Sequence, residues 1–82
     1  MSYEIDQAMV NKAVGFIMRE IGNGAFNHGE VLVALAECVG RVVVDAAQTP
    51  IAMRDATKVV ADHITATCRA GAAAKGWNLD GN

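Results

Sequence analysis

Residues 27–48 read NHGEVLVALAECVGRVVVDAAQ. The stretch opens like a helix start: Asn27 suits the N-cap, and Glu30 three residues later can return a hydrogen bond as the second half of a capping box. Phe26 before the cap and Val31 beyond it have the spacing of a hydrophobic staple. At about 100° per residue, a broad arc collects Val31, Leu32, Val33, Leu35, Val39, Val42, Val43 and Val44 together with small residues. That arc is wider than the roughly 100° needed for one contact face, so the helix is expected to be covered on at least two sides. A strand over Gly40–Asp45 is the competing reading, because Val42, Val43 and Val44 are β-branched. The polar residues recur at 37, 41 and 45 instead of alternating, which favours one helix over 28–48. Gly40 within it then reads as a place where a neighbouring helix comes close.

Glu37, Arg41 and Asp45 share the narrow polar strip at spacings of four, so two opposite-charge pairs are expected on a solvated ridge. Working outward, the amino-terminal side repeats the helical period. Ile5, Met9, Val10, Ala13, Val14, Phe16, Ile17 and Ile21 gather on one half of a wheel over 3–21, with Ser2 available as a cap. Asp6 and Glu20 fall inside that apolar half near its ends, where a bound partner could use them. The linker GNGAF, residues 22–26, carries the punctuation: Gly22 suits a left-handed carboxyl-terminal cap, and Gly24 lets the chain reverse.

On the other side, Thr49 and Pro50 form an N-cap and first helical residue, since proline lacks the N–H that would be unpaired there. A third helix is expected over 50–70, with Met53, Ala56, Thr57, Val60, Ile64, Thr67 and Cys68 on its inward stripe and Gly71 ending it. Residues 72–82 then form a flexible or docking tail in which Trp77 and Leu79 would be idle unless they anchored on the domain or on another subunit. The whole is therefore read as a single all-α domain of three helices, completed as a homo-oligomer.

The 82 residues carry seven Lys and Arg against nine Asp and Glu, a formal net charge of −2. No basic run provides the phosphate-contacting patch usual in nucleic-acid binders, so a helix-turn-helix role is disfavoured. No window approaches the roughly 18 uncharged apolar residues of a membrane span, and no basic amino-terminus leads into an apolar run as in a signal peptide. A cytoplasmic protein with Cys38 and Cys68 reduced and partly buried is the expectation.

Residues that could carry chemistry are sparse. His28, Arg54 and Lys58 are candidates for an anionic ligand, by charge and type, in a pocket between helices or subunits. His63, beside Asp62, is a candidate ligand contact and the one conceivable acid or base of a small enzyme, but consecutive helical residues point about 100° apart and make no oriented pair. No spacing such as CxxC or HExxH presents two metal ligands on one face. No catalytic residue, metal or cofactor is therefore expected. The leading expectation is a non-enzymatic protein-interaction, adaptor or inhibitor module acting as a homo-oligomer. Val33 and Val44 mark the flank of the central helix expected at a symmetric subunit interface, with Trp77 and Leu79 as further interface candidates.

Overall fold

The computed structural model of the chain describes residues 4–78. It contains α1 (Gln7–Asn23), α2 (His28–Ala46) and α3 (Pro50–Ala74), with no strand among the described residues. The fold class is all-α, and Val42, Val43 and Val44 lie inside α2, which runs unbroken through Gly40.

Local chemistry sets each boundary. α1 starts at Gln7 rather than near residue 3, because the Asp6 carboxylate accepts from the Ala8 and Met9 N–H groups at 3.0 and 3.4 Å. That cap explains an acid within the apolar half of the wheel, and it leaves Ile5 in the non-helical lead-in. Ser2, the expected cap, lies outside the described residues. At the other end, Gly22 remains helical and is not left-handed. The closing residue is Gly24, in extended conformation, whose N–H is shared between the carbonyls of Glu20 and Ile21 at 3.2 Å each. The Phe26 ring occupies the space where a Gly24 side chain would begin, so Gly24 permits that close approach.

The capping box of α2 forms in both directions. The Glu30 N–H donates to Asn27 Oδ1 at 2.8 Å, and the Asn27 N–H donates to Glu30 Oε1 at 2.9 Å. Thr49 Oγ1 likewise accepts from the Ala52 N–H at 3.0 Å, with Pro50 as the first residue of α3. The ridge pairs expected among Glu37, Arg41 and Asp45 do not close, whereas Lys58 and Asp62 meet at 2.8 Å. With both of those side chains largely exposed, the pair is worth about 0.5 kcal/mol or less.

Gly71 does not terminate α3, which continues to Ala74. Ala72, Ala73 and Ala74 are strong helix formers, and termination waits for Gly76, the one described glycine with positive φ, at 79°. Gly76 N–H bonds the Ala73 carbonyl at 3.0 Å, and Trp77 N–H reaches back to the Ala72 carbonyl at 2.8 Å. These two bonds make a Schellman cap, in which the residue after the glycine lies over the last turn. Ala72 is the one buried residue among those described, as that arrangement would have it. The start of the expected tail is therefore helix and cap. Leu79 lies outside the described residues.

Contacts fall into two units, one reaching to Val39 and one beginning at Gly40. In the first, Ile21 of α1 and Val31 of α2 are half-buried; in the second, Val43 of α2, Ala47 of the link and Ala52, Ala56 and Val60 of α3 are. The least exposed large residues of α2 with Ala47, at 31, 35, 39, 43 and 47, form a single i,i+4 ridge. Such a row winds slowly around the helix and gives one line of contact instead of two covered sides. The expectation of a broadly covered arc is thus corrected: Leu32, near its centre, is 68% exposed. Beyond its own stretch of helix, no atom of the described residues lies within 4 Å of where a Gly40 Cβ would stand, so the close helix approach expected there is not made among the described residues. Cys38 and Cys68 are exposed free thiols, contrary to the expectation of partial burial: Cys38 falls off the contact row of α2, whereas Cys68 continues the row of Ala52, Ala56 and Val60 on α3 at a place where nothing covers it. No helix among the described residues is long and apolar enough to cross a membrane.

Candidate functional site

A cavity of about 360 Å³ opens within the first unit, where the end of α1 faces the start of α2. α1 contributes Phe16, Ile17, Glu20 and Ile21, and α2 contributes Glu30, Val31, Ala34 and Leu35. Both sets have the spacing i, i+1, i+4, i+5, which lines one face through a turn of helix. Phe26 closes the connection between them. Its place follows from the local sequence: Gly24 leaves room for the ring, Asn27 ends the turn as a cap, and Val31 stands at the staple position after it.

The lining is apolar apart from two carboxylates, Glu20 and Glu30. One oxygen of Glu30 is engaged by the Asn27 N–H, which fixes the side chain while leaving its other oxygen available as an acceptor. The Glu20 carboxylate has no hydrogen-bonding or ionic partner among the described residues. No Lys, Arg or His contributes to the lining. Such a cavity suits an apolar group that carries hydrogen-bond donors or positive charge, and it repels anions.

Comparison with protein-family models, with curated proteins and with solved structures finds no match.

Sequence-predicted residues fall elsewhere. His28 is the first residue of α2, beside the cavity in sequence but not part of its wall. Arg54 and Lys58 stand one turn apart on α3 in the second unit, with Lys58 held by Asp62. His63 is exposed on the same helix. No group of three or more metal-ligating side chains occurs among the described residues. Val33 and Val44 are both 60% exposed, and Trp77 is 62% exposed with the Lys75 ammonium 4.6 Å from its ring centre.

Charge and residue type do not single out the cavity. Two signals in the sequence do point to it: the Phe26–Val31 staple, and Glu20 set within an otherwise apolar half of α1. Histidines and basic residues draw attention because they can do chemistry, whereas this site is defined by shape and by an acid on an apolar face.

Proposed function

We propose that the chain is a non-enzymatic protein-interaction subunit that works as a homo-oligomer. The observation that carries this reading is the amount of large apolar surface left uncovered. Leu32, Val33, Val42 and Val44 of α2 are all 60% exposed or more, while among the described residues only Ala72 is buried. Scattered apolar residues on a surface are ordinary, but here they recur on one helix, with Val33 and Val44 eleven residues apart on the same side of α2, as an interaction surface would have them. Each unit spans roughly 40 residues, a size at which a chain rarely buries enough apolar area to be stable without additional contacts. A second copy supplies such contacts at about 25 cal/mol per Å² of apolar area removed from water.

Exposed Cys38 and Cys68 support a reducing compartment such as the cytoplasm, since accessible unpaired thiols oxidise readily elsewhere. The acidic rim of the cavity and the mixed charges of α3 favour a protein partner over nucleic acid. Light scattering coupled to size-exclusion chromatography tests the proposal, with the expected result a mass at least twice 8.6 kDa. A monomer at every concentration would overturn it.

A further inference from the structure

Resting on the self-association proposed above, we infer that the cavity of one copy receives the Lys75–Trp77 corner of a second copy. Three observations on opposite sides of this contact match one another. The cavity is walled by apolar and aromatic groups and has room, at about 360 Å³, for one large side chain with its flanking stem. Trp77 is the one described aromatic residue outside that wall, and it is 62% exposed. An indole left in water forgoes the burial of about 150–250 Å² typical of large aromatic side chains.

The polar groups agree as well. Tryptophan carries a single side-chain N–H donor that needs an acceptor when the ring is buried, and Lys75 holds its ammonium 4.6 Å from the ring centre. A Trp77 side chain entering the cavity would thus bring one neutral donor and one positive charge together. The cavity offers the Glu20 carboxylate, without a partner among the described residues, and the second oxygen of Glu30. Two acceptors meet two donors, and the charges that Lys75 and Glu20 bring to the contact are opposite.

The corner is also held ready for docking. The Trp77 backbone N–H is tied to the Ala72 carbonyl at 2.8 Å, and Gly76 is set in the left-handed conformation, so the backbone at the indole is already ordered. Docking then costs little backbone entropy, which is the advantage of a preorganised contact. In the two-fold dimer inferred here the exchange is reciprocal, with each copy giving its indole and receiving the other's.

The test uses charge reversal in separate full-length chains. Glu20→Lys and Lys75→Glu should each raise the dissociation constant about tenfold, since each puts like charges together in both contacts. An equimolar mixture of the two variants should recover the wild-type constant. In the mixed dimer the two reversed side chains pair with each other in one contact, and the native Glu20 and Lys75 pair in the other. Light scattering and the emission of Trp77, the sole tryptophan, are followed from about 1 to 200 µM, a range that spans micromolar association. Emission of the wild-type chain should shift to the red on dilution as the indole returns to water. Oligomers whose stability ignores both substitutions, or that the mixture fails to restore, would overturn the inference while leaving self-association intact. Emission that stays blue after light scattering shows the mass of a monomer would place the indole within its own chain and also overturn it. A chain monomeric throughout would remove both this contact and the proposal beneath it.

Discussion

Asn27 and Glu30 exchange two hydrogen bonds across the first turn of α2, and each residue's share can be separated experimentally. Asn27→Ala should lower stability by about 1 kcal/mol, as loss of an N-cap usually does, whereas Glu30→Gln retains an acceptor at the return position and should cost well under half of that. Thermal unfolding at one fixed protein concentration measures both. Gly76→Ala should cost about 1 kcal/mol for a different reason, since φ of 79° brings a Cβ into conflict with the backbone. A change below a few tenths would mean that the cap relaxes without loss. These terminal features are legible in the sequence to unequal degrees. Asn27, Thr49 and Pro50 stand where sequence places them because a cap needs only its own next turn. The start of α1 is harder to place because Ser2 and Asp6 are both good caps, and the bonds that Asp6 makes to Ala8 and Met9 decide the competition. Gly71 resembles a stop because glycine is a poor helix former, yet this stop requires positive φ, and that occurs only at Gly76 among the described residues.

Within α2, periodicity correctly identifies a helix but overstates how much of it is covered. Hydrophobic pattern reports which side chains favour burial; the row that achieves it depends on how neighbouring helices cross, which no local spacing encodes. Val31 and Val43 lie on the contact row and Leu32 does not, although all three belong to the same apolar arc. Val44→Glu should therefore leave α2 helical by circular dichroism and reduce the assembled mass in light scattering, while Glu37→Gln should change neither. A fully assembled V44E chain at micromolar concentration would remove the Val33–Val44 flank from the interface. Gly40→Ala provides an internal gauge of the same helix. With nothing within 4 Å of the new methyl, it should raise stability by about 0.5–1 kcal/mol through helix propensity alone. A loss instead would show that another copy lies against Gly40.

At the scale of the whole molecule, self-association makes stability a function of concentration. If folding is coupled to dimer formation, each tenfold increase in protein adds about 1.4 kcal/mol by mass action and raises the midpoint of thermal unfolding; a midpoint independent of concentration would contradict that coupling. The all-α class and its three helices can be read from the sequence because caps, proline and periodicity are local. The cavity can be read only in part: Glu20 and the Phe26–Val31 staple are visible, but their convergence requires α1 and α2 to meet across the GNGAF turn. The Schellman cap has one more consequence, which is mechanical. Because Trp77 is bonded to the final turn of α3, the indole behaves as a pointer fixed to the end of a screw, and its bearing counts the residues behind it. One extra alanine beside Ala72–Ala74 would preserve the cap while advancing the pointer about 1.5 Å and swinging it about 100°. Length here is phase: one added alanine would misdirect the indole, and seven added helical residues would nearly restore its heading while carrying it some two turns farther along the axis.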